Sequence, residues 1–284
     1  MEDRSKINGW SFLLIPALIW SIITFFIPLG QLFIKSFCIH KGLGQTIPTL
    51  TLANYWKFLR DPFYLIVLGR TIALGLVVVA GTMILGYPLA YFLARLKSRW
   101  KPLLQFLVIA PLLISVVIRA LGWMVLLGEN GLVNWLLIHL GVIRTPVALI
   151  NNFIGVVVGL IHAMLPYMVL ALLNVIQNID FSLEEASMNL GANRIRTFFE
   201  VVVPLSRPGL VAGFLLVLTI TISAFTSPAM LGGRKVNVMP IMIEQQIRFI
   251  LNYPFGAAIS IILLIVCSLL AYLSISTAGK NKKC

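Results

Sequence analysis

Six stretches of this chain are free of charge, or nearly so, over lengths that cross about 30 Å of hydrocarbon at about 1.5 Å per residue. They are Trp10 to Ile34, Thr71 to Ala94, Pro102 to Gly128 (broken only by Arg119), Thr145 to Ile179, Pro208 to Gly233 and Phe249 to Gly279. A bilayer offers no water to backbone N–H and C=O groups, so each stretch must satisfy its own, as a helix. The sequence therefore predicts an all-α integral membrane protein with six transmembrane helices. No internal repeat or low-complexity segment divides it, and a single domain over 1–284 is expected. The fourth and sixth stretches exceed what a bilayer needs, which predicts tilt or an added surface turn. Pro16, Pro28, Pro88, Pro111, Pro166 and Pro228 fall inside spans and predict kinks.

Composition agrees with this reading. Of the 284 residues 60% are hydrophobic and 11% charged, with a mean hydropathy of +0.99, more apolar surface than a soluble domain of this length can hide. A net charge of +13 would suggest nucleic acid in a soluble protein. In a membrane protein the same excess belongs to cytoplasmic loops facing anionic headgroups, so lipid is the expected partner and nucleic acid is not. Trp10 to Ile34 is uncharged for 25 residues and no small-x-small site follows it. It reads as a retained anchor rather than a signal peptide.

Topology is set by position more than by totals. With the amino terminus inside, 12 Lys and Arg fall inside and 10 outside. Short loops near helix ends carry the topological signal. Arg95, Lys97, Arg99 and Lys101 crowd one loop, and the carboxyl end is rich in Lys; both belong inside, with both termini cytoplasmic. Outside, Lys35 to Arg70 is long and carries Trp56, Phe58 and Phe63 as interfacial aromatics. Gly131 to Leu137 and Met239 to Leu251 read as short surface helices.

Catalytic chemistry is missing. There is no Gly-x-x-x-x-Gly-Lys-Ser/Thr, no His-Glu-x-x-His and no Cys-x-x-Cys, so neither cofactor nor metal is expected. Cys38, Cys267 and Cys284 show no paired spacing. His40, His139 and His162 are isolated in sequence, and His162 reads as a hydrogen-bonded packing residue.

One interval departs from this oily pattern. Between Ser182 and Pro208 stand Glu184, Glu185, Arg194, Arg196, Glu200 and Arg207, with Asp180 just upstream. So polar an interval must lie outside the hydrocarbon. Ser182 followed by Glu185 predicts a capping box at a helix start. Gly191 marks a turn, a second helix from Asn193 to Val203 should stop before Pro204, and Pro208 suits the first turn of the next helix. Two short helices hinged at a glycine are expected on the membrane surface.

Glu185-Ala186-Ser187, three residues, Gly191, nine residues, then Val201-Val202-Val203-Pro204 resembles the EAA signature of permease subunits of ABC importers. Ser187 stands where that pattern has a second Ala, and Val203 where it has Leu. The resemblance implies a type I ABC importer permease-like bundle in a bacterial inner membrane. The segment about 177–207 would be its cytoplasmic coupling helix, with Glu184, Glu185, Ala186, Ser187, Gly191, Ala192 and Pro204 at the contact with a separate ATPase. The implied partners are ATPase subunits, a second permease subunit and a periplasmic solute-binding protein, with ATP hydrolysis on the partner and not on this chain. Asn130-Gly131-Leu132-Val133-Asn134, Leu231-Gly232-Gly233 and Pro254-Phe255-Gly256-Ala257-Ala258 are similar to the spermidine/putrescine branch. Yet Pro228-Ala229-Met230 and Asn252-Tyr253 replace acidic residues expected there. Polyamine is the solute implied by kinship, and an opine, an aminophosphonate or another zwitterion stays open.

For the solute path the sequence offers Arg119, Glu129, Ser223, Thr226 and Ser227. A charge within a span is costly and normally faces a partner or a cavity. Arg119 either pairs with Glu129 or meets the solute, and on a continuous helix from Pro102 it lies about 25 Å along the axis. The competing class is an autonomous ion-driven secondary carrier; the lack of a repeat and of an intramembrane acidic pair speaks against it.

Overall fold

The computed structural model describes residues 10–42 and 44–280. Arg4, Lys6, Lys282, Lys283 and Cys284, part of the topology and cysteine arguments, lie outside the described residues. In chain order the elements are α1 (Trp10–Ser36), β1 (Ile39–Gly42), β2 (Gln45–Ile47), α2 (Ala53–Arg60), α3 (Pro62–Arg95), α4 (Lys101–Ile109), α5 (Val116–Leu127), α6 (Leu132–His139) and α7 (Phe153–Ile176). They continue with α8 (Phe181–Asn189), α9 (Arg194–Thr197), α10 (Val203–Leu205), α11 (Arg207–Ile222), α12 (Thr226–Leu231), α13 (Met239–Glu244) and α14 (Tyr253–Lys280). Five helical stretches are long and apolar enough to cross a membrane, and a bent pair, Arg194–Leu205 with Arg207–Ile222, makes a sixth. Six spans are what the hydropathy predicts.

The chain forms two compact units, Met1–Pro62 with Ile243–Ile262 and Phe63–Met242 with Leu263–Cys284. In the first, the apolar side chains of α1 from Ile15 to Pro28 are exposed, Trp20 at 70%, so this part of the helix presents its surface to lipid or to another chain. Asn54 ties α2 to the end of α1 by donating to the Ser36 and Cys38 carbonyls at 2.8 and 2.9 Å. The β1–β2 hairpin pairs Ile39 with Ile47 and His40 with Thr46. No alternation in the sequence announced it. Trp56 and Phe63 are exposed, as interfacial aromatics should be, but Phe58 is fully buried. The expectation for Phe58 is thus corrected: it is a core residue of a helix whose other face is wet.

In the second unit α7 is the central helix, and α11 is its main neighbour. A Cβ on Gly209 would come within 3.0 Å of the Ala171 carbonyl oxygen, so glycine is what lets these two backbones approach. Helix α3 starts at Pro62, not Thr71, because Arg70 stays at the helix surface and its Nη1 reaches the Lys235 carbonyl at 3.5 Å. The excess length of the fourth stretch is irregular chain before Asn152, which caps α7 by accepting from the Gly155 N–H at 2.8 Å. Both expected surface helices form, as α6 and as α13 with the π-turn Gln245–Phe249. Asn134 pins α6 from within. Its side chain donates to Gly128 and Val147 carbonyls and accepts from the Val147 N–H, each at 3.0 Å.

Two spans are not the continuous helices expected. The third breaks after the 3-10 turn Ala110–Leu113, which holds Pro111, and Ile114 is extended before α5 begins. The fifth breaks between Ile222 and Thr226, where Ser223 turns its hydroxyl onto the Thr219 and Ile220 carbonyls. The 25 Å depth for Arg119 assumed one straight helix and does not hold.

Candidate functional site: a charged arm and a membrane arginine

The polar interval folds as two helical arms joined at Gly191. Asp180, not Ser182, caps α8: its carboxylate accepts from the Ser182 N–H at 3.0 Å. That backbone bond, with help from the Ser182 hydroxyl, holds the Asp180 carboxyl below the usual carboxylate range. The capping box from Ser182 to Glu185 is therefore corrected by two residues of register. Gly191 has φ of +93° with open space around its Cα, so the turn selects glycine by backbone conformation rather than by crowding. Asn193 opens the second arm, accepting from the Arg196 N–H at 2.8 Å. The arm runs through a π-turn, Phe198–Val202, and α10 carries it past Pro204 to Leu205. It was expected to stop before Pro204. The wide turn re-routes the Val203 N–H to the Phe198 carbonyl, so the chain meets the proline without losing its helical course. Pro208 lies in the first turn of α11, as its fixed φ favours. Ser187 bonds Thr197 hydroxyl to hydroxyl at 3.1 Å across the Gly191 turn, which gives the residue replacing Ala a role.

The first arm is anchored to the end of α3. Glu184 is 3% exposed; Arg95 Nη2 lies 2.5 Å from its Oε1, and the Tyr91 hydroxyl donates to its Oε2 at 2.8 Å. Arg95 Nη1 also donates to the Ile179 carbonyl at 3.0 Å. One turn deeper, the Tyr87 hydroxyl meets Ser206 Oγ at 2.5 Å; Ser206 is fully buried and sits at the 68° bend between the second arm and α11. Phe198 packs edge-on against both Tyr87 and Tyr91. These three aromatic rings and one ion pair join α3 to both arms. Opposite in character are Glu185 and Ala186, exposed, and Leu190, Ile195 and Phe199, exposed at 90%, 70% and 63%. Ala192 and Pro204 are half-buried. A cavity of about 480 Å³ opens beside Tyr91, Phe181, Glu184 and Phe198. The sequence placed both Glu184 and Glu185 at the ATPase contact; for Glu184 this is corrected, since the structure turns it inward to Arg95 and leaves only Glu185 outside, and Arg95 and Tyr91 joined the site only through the fold.

Within the membrane, Arg119 stands on α5 with Trp123 one turn on, and Trp123 Nε1 donates to His162 Nδ1 of α7 at 3.2 Å. That is the hydrogen bond expected of His162. Arg119 and Glu129 do not pair: the ion pairs among the described residues are Arg95–Glu184, Arg196–Glu200 and Arg248–Glu244. Glu129 is exposed in the turn after α5. Ser223 closes α11, while Thr226 and Ser227 begin α12, which packs on α5 and α7.

A long apolar bundle interrupted by one charged two-armed loop defines a multi-pass membrane protein. The family "binding-protein-dependent transport system inner membrane component" matches residues 86–276, and the chain belongs to it, as a multi-pass inner-membrane permease subunit of an ABC importer. The spermidine/putrescine transport system permease protein PotB of Haemophilus influenzae is 34% identical over 258 residues, 90% of each chain. PotB of Escherichia coli (strain K12) is 36% identical over 251 residues, 88% of this chain and 91% of that one. The fold matches that of a bacterial alginate ABC transporter crystallised with alginate pentasaccharide-bound periplasmic protein, with a TM-score of 0.80 at 17% identity, covering 98% and 97% of the two chains. These relatives are permeases, and nothing in the kinship supports an autonomous ion-driven carrier.

Proposed function

We propose that this permease works with ATPase subunits, a second permease subunit and a periplasmic solute-binding protein, and that the loop about 177–207 is where ATP hydrolysis on the partner is felt. The carrying observation is the two-sided build of that loop. Its inner side is fastened to α3 through Glu184, Arg95 and Tyr91, and its outer side offers Leu190, Ile195 and Phe199 with Glu185 and Ala186 between them. An apolar face outside the bilayer needs a protein cover. Movement of the ATPase would pass through the Glu184 anchor to α3 and through Ser206 to the bend before α11.

Arg95 and Glu184 touch, so the Arg95–Lys101 loop and the Glu184 loop share one side of the membrane. The clustered basic residues support the reading of that side as the cytoplasm, with both termini there as part of the proposal. The PotB relatives of Haemophilus influenzae and Escherichia coli carry spermidine and putrescine in their names. A small polar organic solute is the cargo that agrees with them.

Two measurements test this. A tagged chain should copurify with an ATPase subunit and support ATP-dependent uptake that requires the binding protein; uptake without ATP would refute the importer role. An impermeant thiol reagent should reach cysteines placed at Thr46 and Asn237 in intact cells, but those at Ser98 and Asn193 only after permeabilisation. Labelling at Asn193 in intact cells would invert the topology.

A further inference from the structure

Arg119 is a half-buried cation without an anion among the described residues. Its Nε and Nη1 have no surface open to the exterior and no hydrogen-bond partner, and no ion pair includes it. Placing a guanidinium in a span costs of order 3 kcal/mol on insertion scales. A lipid-facing arginine recovers part of that by stretching its head to the interface. Arg119 instead keeps two of its nitrogens enclosed, one helical turn from Trp123, which bonds His162.

The neighbours are donors as well. Because Trp123 donates to His162 Nδ1, the neutral ring carries its proton on Nε2, and that atom is a donor too. Helices α1, α3, α4, α5, α7, α11, α12 and α14 contain no Asp or Glu. No carboxylate in these helices would receive the ammonium groups of a polyamine, and the Arg119 charge would repel them. The backbone around this cluster is broken twice, at Ile114–Ser115 before α5 and at Ser223–Phe225 before α12, and α5 packs on α12. Irregular backbone at membrane depth is tolerated where it lines protein or a cavity, and in transporters broken helices meet at the solute. His162 also borders an apolar cavity of about 300 Å³ with Phe92, Leu104 and Pro111, enough for a short hydrocarbon chain.

We infer that Arg119, with Trp123 and His162, is a receptor within the membrane for the acidic group of the transported solute, a carboxylate or a phosphonate. The planar guanidinium fork matches either oxyanion in a bidentate grip that an ammonium cannot make. The inference rests on the importer reading and narrows its cargo from any small polar solute to one bearing an acid.

The test uses proteoliposomes holding the complete importer with its binding protein, and four probes sharing an amine: putrescine, spermidine, 4-aminobutyrate and 3-aminopropylphosphonate. ATP-driven uptake of 4-aminobutyrate or of 3-aminopropylphosphonate is expected, and which of the two is carried separates carboxylate from phosphonate. R119Q should lower that uptake about tenfold or more, the loss of a charge-assisted hydrogen bond. R119K, which keeps the charge but not the fork, should raise the half-saturating concentration about fivefold with the maximal rate kept. In both variants copurification with the second permease and ATPase subunits should equal wild type. Uptake of putrescine or spermidine that R119Q leaves unchanged, uptake of neither acid-bearing probe, or an R119K indistinguishable from wild type overturns the inference. So does an R119Q that loses the second permease subunit, because Arg119 would then be an assembly contact. None of these touches the importer reading, which fails only if transport proceeds without ATP or the binding protein.

Discussion

Two charges in one compact unit, one buried and one half-buried, meet opposite fates. Glu184 is enclosed by Arg95 and Tyr91, with a counter-ion at its Oε1 and a hydroxyl donor at its Oε2. Arg119 is enclosed by helices and has two nitrogens with no hydrogen-bond partner. A buried ion pair with both members present is a joint: its strength is spent on holding α8 to α3, and breaking it leaves an uncompensated charge. A half-buried cation with no counter-ion among the described residues is free to take an anion from outside the chain. The contrast separates the part of this permease that carries motion from the part that meets cargo.

The largest expected effect comes from breaking the complete site. Glu184→Gln leaves Arg95 without its anion and should cost of order 3 kcal/mol, the low end for a broken buried pair because Arg95 keeps its bond to the Ile179 carbonyl. A lower Tm of the detergent-solubilised chain, together with loss of uptake, is the expected readout. Exchanging the charges, Arg95→Glu with Glu184→Arg, should restore part of the Tm. No rescue by the exchange would show that geometry around Tyr91, not charge, holds the arm.

A middling effect is expected at the turn. Gly191→Leu meets no atom within 4 Å but must adopt φ near +93°, a strain of about 1–2 kcal/mol for a side-chain-bearing residue. The chain should still insert in the membrane, while the amount of ATPase recovered with it falls. Gly191→Asn, which tolerates a left-handed backbone, should retain more of that recovery than Gly191→Leu. Equal recovery for both variants would mean that the left-handed turn is not what presents the docking face.

The smallest change sharpens the comparison at a single step along the helix. Glu185→Gln alters an exposed side chain next to a buried one, and should move Tm by no more than about 0.5 kcal/mol equivalent. Any effect should appear in ATPase recovery alone. A Tm loss comparable with that of Glu184→Gln would contradict the assignment of inner and outer faces.

Much of this molecule was legible before folding was considered. The six spans follow from runs of apolar residues because lipid presses each run to close its own hydrogen bonds, a local requirement relaxed only where the third and fifth runs break. The turn at Gly191, the helix start at Pro208 and the surface helices at Leu132 and Met239 are likewise local, fixed by backbone preferences of a few residues. The spacing from Glu185 to Pro204 sufficed to indicate the family to which the chain belongs.

Facing and pairing were not legible. Glu184 and Glu185 are equivalent as text, and only the packing of α8 against α3 turns one inward to Arg95, some ninety positions away. Glu129 offered Arg119 a counter-ion close in sequence, yet the turn after α5 leaves it exposed and the guanidinium unpaired. The breaks at Ser115 and Ser223, and the burial of Phe58, depend on which neighbour lies opposite. Hydropathy and backbone preference act over a turn or two of helix, so the sequence by itself determined where this chain crosses the membrane and where it turns. Which charges meet, and which is left waiting for a partner, was decided by tertiary structure, because electrostatic pairing and burial are properties of residues distant in sequence.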